Sequence, residues 1–176
     1  MDTSNITIET KNLLLKGITL EYKDDIFREF TPEITTLMFP KAPAKIEETI
    51  EFIEESIKEN QEGSNFQVII LNKENQEFLG CAGVHNIDSK TPEFGIWLKK
   101  SAQGFGFGKE TIIALKEWAD KNLAYEYLLY PAAKENHPSR KIPEFLGGTI
   151  VREYEEINMS GNKLHLVEYR IYPPKN

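Results

Sequence analysis

Cysteine is almost missing from this 176-residue chain. A single thiol, Cys81, excludes an internal disulfide and a cysteine-based zinc site. The three histidines, His85, His137 and His165, lie far apart without ligand spacing, so no metal is expected. Cys81 and His85 raise the question of a nucleophile with its base. Four strand residues span roughly 13 Å, beyond hydrogen-bond reach, and a buried thiol beside a strand-end histidine fits better. No uninterrupted apolar run approaches the ~20 residues that span a bilayer. Met1 to Asn5 lack the basic stretch and apolar core of a secretory signal. The expectation is a soluble, cytoplasmic protein without a membrane partner. Positive charge is also short: the formal net charge is −7, which disfavours nonspecific nucleic-acid binding. Such a charge would attract a cationic substrate, although a merely soluble acidic protein carries it equally well.

Hydrophobic residues make up 40% of the chain, and no repeat, low-complexity tract or long linker divides it. One domain over residues 1–176 with one core is expected. Leu13 to Leu20 reads as a first strand and Tyr22 to Phe30 as a short helix, interrupted at Thr31-Pro32. Ile46, Ile50, Ile53 and Ile57 recur at helical spacing with glutamates between them, predicting an amphipathic helix with a solvated acidic face. Phe66 to Leu71, Phe78 to Val84 and Glu93 to Leu98 read as an antiparallel meander. A helix from about Lys109 to Lys121 follows, with Ile112, Leu115 and Ala119 on one stripe. Then come a strand from Tyr125 to Tyr130 and a helix from Asn136 to Leu146 closed by Gly147-Gly148. A hairpin of Thr149 to Met159 and Leu164 to Ile171 ends the chain. The sum is about seven strands and about four helices in α+β order.

The segment between the third meander strand and the next helix, Gln103-Gly104-Phe105-Gly106-Phe107-Gly108, has glycine at alternate positions. Glycine permits positive φ and close backbone approach to a ligand. The helix that follows offers unpaired N–H groups and the positive end of its dipole, and Lys109 adds a full charge. This chemistry suits a pyrophosphate. A dinucleotide fingerprint needs G-x-G-x-x-G, and the third glycine here is misplaced. A P-loop is excluded because no Gly-Lys-Ser/Thr follows. A flexible connection without a ligand is the plain alternative.

These six residues resemble the Q/R-x-x-G-x-G/A signature of the GNAT N-acetyltransferases. A second block, Asn136-His137-Pro138-Ser139-Arg140 through Leu146-Gly147-Gly148, is similar to the N-x-x-S-x-(R/K)…L-G-F segment of the branch containing the ribosomal-protein N-terminal acetyltransferases (RimJ/RimL-like). Leu13 to Lys16 followed by Asp25, and Gly161-Asn162-Lys163 followed by Tyr169, resemble that branch's opening and closing elements. Two positions depart from the pattern. Gly148 stands where phenylalanine is usual, and Pro143 stands where other branches carry a tyrosine that protonates the leaving thiolate.

The resemblance implies a GNAT fold: a mixed, mostly antiparallel sheet splayed between the fourth and fifth of the expected strands. It implies direct acetyl transfer from acetyl-CoA, as co-substrate and without metal, to a primary amine. The acceptor would be a protein N-terminus, polyamine, amino acid or aminoglycoside-like drug, and a homodimer is an allowed assembly. In this scheme Ile96, Trp97 and Leu98 hold the pantetheine arm mainly through their backbones. Gln103, Gly104, Phe105, Gly106, Phe107, Gly108 and Lys109 surround the pyrophosphate. Asn136 and Ser139 also contact the cofactor, and Arg140 or Lys141 meets the adenosine phosphate.

Glu93 is the candidate base, acting through a water; a solvated glutamate after Pro92 is the alternative. Ser139 is the candidate acid; its alternative is a hydroxyl satisfying the helix's first turn, with Asn136 as the N-cap. Tyr130 and Tyr127, read as sharing a strand face, offer other phenols, though core packing suits both. Phe30, Met38 and Phe39 would line the acceptor groove, with ordinary packing as the competing role. The rival function is the same fold holding acyl-CoA without turnover, as a sensor or interaction module.

Overall fold

The computed structural model describes residues 1–175. Eight strands form one sheet: β1 (Thr7–Glu9), β2 (Leu13–Gly17), β3 (Phe66–Asn72), β4 (Phe78–His85), β5 (Glu93–Leu98), β6 (Leu128–Ala133), β7 (Thr149–Ile157) and β8 (Lys163–Ile171). Five α-helices accompany them: α1 (Lys23–Glu29), α2 (Pro32–Thr35), α3 (Ile46–Glu62), α4 (Phe107–Asn122) and α5 (His137–Phe145). The strand order is β1-β2-β3-β4-β5-β6-β8-β7, and every pairing is antiparallel except β5 with β6.

The expected elements form with three differences. The first predicted strand stops at Gly17, because Thr19 to Tyr22 turn into a short 3₁₀ segment. The strand expected at Tyr125 starts at Leu128 and runs on to Ala133. The short elements β1 and α2 lie in stretches too brief to show a period. Thr31 caps α2, its hydroxyl accepting from the Ile34 N–H at 3.4 Å.

Helix α4 packs one face with Ile112, Leu115 and Ala119 fully buried against Phe66, Val68, Val84 and Leu128. On the other sheet face α1 and α3 bury Ile26 and Ile53 against Ile69, Leu71 and Cys81. Of the isoleucine stripe on α3, only Ile53 is fully buried. Asn60, on the same helix, is buried and pairs both backbone groups of Gln67: Asn60 Nδ2 donates to the Gln67 carbonyl at 2.9 Å and Asn60 Oδ1 accepts from its N–H at 2.8 Å.

Strands β5 and β6 meet in register only at Glu93 and Leu129, where the Leu129 N–H donates to the Pro92 carbonyl at 2.8 Å. Donors alternate along a strand, so position 131 also faces β5. Continuing the ladder would need its N–H to reach the Phe94 carbonyl. Position 131 is proline and has none. The strands part there, and the expected splay lies in its expected place.

Replacing Asn60 by alanine strands the buried Gln67 N–H. The variant is expected to lose about 1–3 kcal/mol of stability, read as a lower urea midpoint at unchanged m-value.

Candidate active site

The glycine loop sits at the open end of the splay. Gly104 (φ +88°) and Gly106 (φ +80°) occupy the left-handed region, and nothing would lie within 4 Å of a Cβ at either. Conformation, rather than crowding, therefore demands glycine at both positions. Gly108 differs: its added Cβ would meet Ile142 at 3.4 Å and Leu98 at 3.7 Å, so it lets α4 approach α5 and β5. Gln103 braces the loop, Nε2 donating to the Leu98 carbonyl at 3.1 Å.

The first intrahelical donor of α4 is Glu110, bonded to Gly106. The N–H groups of Gly104 through Lys109 find no acceptor among the described residues. They form a row of unpaired donors at a helix N-terminus, which is an anion site in both geometry and dipole. Phe105, 68% exposed, stacks on Phe107 at 5.7 Å. The Lys109 ammonium lies 3.4 Å above the Phe145 ring, held between the loop and the end of α5.

Along the splay, the Ile96 and Leu98 side chains turn toward α4 and Trp97 toward the opposite face. Among the described residues the β5 edge beyond Glu93 has no strand partner on its β6 side. The far wall carries Tyr130, whose hydroxyl lies 2.8 Å from Ser139 Oγ. Burial pushes the Tyr130 phenol up to about 12, against the lowering effect of the serine hydrogen bond. Asn136 caps α5, its Oδ1 accepting from the Ser139 N–H at 3.3 Å. Pro143 is accommodated inside α5 without a donor to Ser139, and its carbonyl accepts from Gly148.

Here two expectations change, for Arg140 and for the Tyr127–Tyr130 pair. Arg140 does not reach toward the loop: Nε donates to the Tyr169 hydroxyl at 3.0 Å and a terminal nitrogen to the Lys134 carbonyl at 2.7 Å, tying α5 to β8. Lys141 is exposed on α5 and makes none of the described ion pairs. Tyr127 and Tyr130 do not share a face: Tyr127 precedes β6 and packs on Tyr172 under Arg170. The strand begins later than its apolar run suggests, and residues three apart on a strand face opposite ways.

Glu93 stands at the vertex of the splay, opposite His85 in the β4 register. Burial, with Glu168 and Glu156 nearby, raises its pKa above the ordinary carboxylate range. On the same sheet face lies a cavity of ≈ 440 Å³. Phe30 and Met38 line it, Phe30 lying tilted against Trp97 with ring centroids 4.7 Å apart. Phe39 does not: its side chain is 48% exposed, and its carbonyl accepts from the Met159 N–H at 2.9 Å. The loop needs that carbonyl to dock on the β7–β8 turn, which turns the side chain outward. Cys81 is a buried thiol on the cavity wall with its pKa raised by desolvation, the inert role expected of it. No helix is long and apolar enough to cross a membrane, and no metal-holding cluster exists among the described residues.

The fold is shared with solved structures of low identity. The Salmonella typhimurium acetyl transferase that modifies the N-terminal serine of ribosomal protein L7/L12 superposes with TM-score 0.83 at 15% identity, over 96% of this chain and 100% of that one. The Vibrio cholerae spermidine N-acetyltransferase, solved with CoA and spermine, gives 0.80 at 16% identity over 93% and 96%. The microcin C7 self-immunity acetyltransferase MccE, solved with acetyl-CoA and AMP, gives 0.80 at 20% identity over 93% of each chain. No curated protein matches the sequence. The acetyltransferase (GNAT) domain family, however, matches residues 12–149, and with the splayed sheet and its glycine loop this establishes that the chain belongs to the GNAT acetyltransferases.

Proposed function

We propose that the protein transfers an acetyl group from acetyl-CoA directly to a primary amine. The observation that carries this reading is the row of unpaired N–H groups from Gly104 to Lys109 at the mouth of the β5–β6 splay. A pyrophosphate satisfies those donors, and the residues fit it in charge and in backbone conformation. The free edge of β5 at Ile96–Leu98 holds the extended arm by backbone hydrogen bonds, and Asn136 adds a side-chain contact. Lys109 supplies positive charge at the phosphates. Lys141, exposed on the adjoining helix, is the remaining cation for the adenosine end. Acetyl-CoA contributes the reactive thioester carbonyl at the vertex.

The chain's own residues then manage protons. An amine must lose one to attack, and Glu93, with its raised pKa, is matched to take it near neutral pH. The departing thiolate needs one. The Ser139 hydroxyl supplies it and is resupplied by Tyr130, 2.8 Å away. A buried phenol with a pKa of about 12 stays protonated at working pH and can donate. This hydroxyl pair offsets the absence of a donor at Pro143. The neighbours' acceptors, a protein N-terminal serine and a polyamine, mark the range of amines the fold accommodates.

Gly106→Asp places a strained residue and a negative charge among the donors; acetyl-CoA binding by calorimetry should fall below detection while circular dichroism stays native. Tyr130→Phe should lower kcat roughly 10²-fold with acetyl-CoA affinity unchanged, because only the proton relay is cut. For Glu93→Gln, kcat/KM should drop by a similar factor. In the parent enzyme kcat/KM rises with pH as the carboxyl ionises, through a value above the usual carboxylate range. Glu93→Gln should lose that limb, and its survival would remove Glu93 from the base role.

A further inference from the structure

Resting on the acetyl-transfer reading, we infer that the acceptor is a primary amine carried on a compact apolar body, its nitrogen held by His85 and Gln67 at the floor of the β3–β4–β5 cavity. The floor is cleared by two glycines paired in register, Gly83 on β4 and Gly95 on β5. A Cβ on Gly83 would lie 2.7 Å from Gln67 Oε1, and one on Gly95 would lie 2.9 Å from His85 Nε2. Larger residues at these positions would displace the two polar side chains from the floor.

Gln67 is only 7% exposed, yet its side-chain amide makes no hydrogen bond within the described chain, and neither does the His85 imidazole. Both line the cavity. Neither is among the buried side-chain atoms left without a partner, so their polar atoms open into the cavity, and a shaped apolar cavity with two accessible, unengaged polar groups at its base suits a polar group arriving from outside. Gly95 lies two residues from the vertex at Glu93, where the reacting carbonyl must sit, so the group delivered there is the nucleophilic nitrogen. Burial holds His85 below its usual pKa, which keeps the imidazole neutral and able to accept an N–H.

The walls decide the rest of the acceptor. Phe30, Met38, Phe52, Trp97 and Met159 are apolar. The one carboxylate on the lining, Glu48, is occupied in capping α3, where it accepts from the Ala44 and Lys45 N–H groups. Lys41 stands on the same lining and repels cations. A second ammonium, as in a polyamine, would be desolvated without a counter-charge.

The test compares phenylalaninamide, serinamide and spermidine by release of free CoA thiol from acetyl-CoA. The two amides present the same α-amine, so only the body varies. Phenylalaninamide should exceed serinamide in kcat/KM by about tenfold or more, and spermidine should be the poorest. Phe52→Ser should shrink that preference, chiefly by lowering kcat/KM for phenylalaninamide. His85→Leu should lower kcat/KM for both amides alike, with acetyl-CoA affinity unchanged. Serinamide or spermidine equalling phenylalaninamide would overturn the assignment.

If no amine releases thiol, the transfer reading fails, and binding is then judged alone. With CoA present, phenylalaninamide but not spermidine should quench Trp97 fluorescence saturably, with the signal lost in Trp97→Phe. Such quenching upholds the cavity as an apolar-amine site, and its absence overturns it.

Discussion

One backbone bridge, Glu93 with Leu129, is all that joins the two halves of the sheet through β5 and β6, and the chemistry is arranged around where that pairing stops. A complete parallel ladder would satisfy the facing edges with each other and leave no slot between β5 and β6. Pro131 withholds the next donor, so the edges stay available to an extended ligand. The sheet survives the gap because the remaining strands of each half are fully paired and α4 seals one face with a continuous core.

Charge and protons are distributed about that vertex by burial. On one side burial, with the charges of Glu168 and Glu156 nearby, makes ionisation of Glu93 harder. Glu168 is anchored by Arg152 at 3.3 Å. On the other side the Tyr130–Ser139 pair keeps a proton within reach of the slot. In the proposed mechanism the base stands on β5 and the hydroxyl pair on β6 and α5, on opposite sides of the slot.

The cavity side is held by polar anchoring of an otherwise irregular loop. Asn158 Nδ2 donates to the Met38 carbonyl at 3.2 Å, and the Met159 N–H to the Phe39 carbonyl. Leu37 packs with Tyr154 over Leu164, Leu166 and Ala133. The loop after α2 is therefore a fixed wall of the cavity rather than a loose connection, and it couples the cavity's shape to the β7–β8 hairpin.

The long elements and the phosphate loop could be read directly from the chain. A 3.6-residue stripe, alternating strands and glycines at every second position are local patterns whose physical consequence does not depend on neighbours. Gln103 to Lys109 belong to that legible part, whereas Asn136, Ser139 and Glu93 come forward only through the family resemblance. Other features depend on pairs far apart in sequence. Tyr130 meets Ser139 only because β6 and α5 fold back on one another. Arg140 is drawn to Tyr169, 29 residues away, which no local pattern announces. Gln67 and His85 converge only because the β3–β4–β5 register brings Gly83 beside Gly95. The sequence by itself determined the fold class and the anion site, since backbone conformation and amphipathic period are properties of contiguous residues. The tertiary structure alone decided which hydroxyls meet beside the slot and which imidazole and amide line the cavity, because that depends on strand register and helix docking, set by the packing of the whole core.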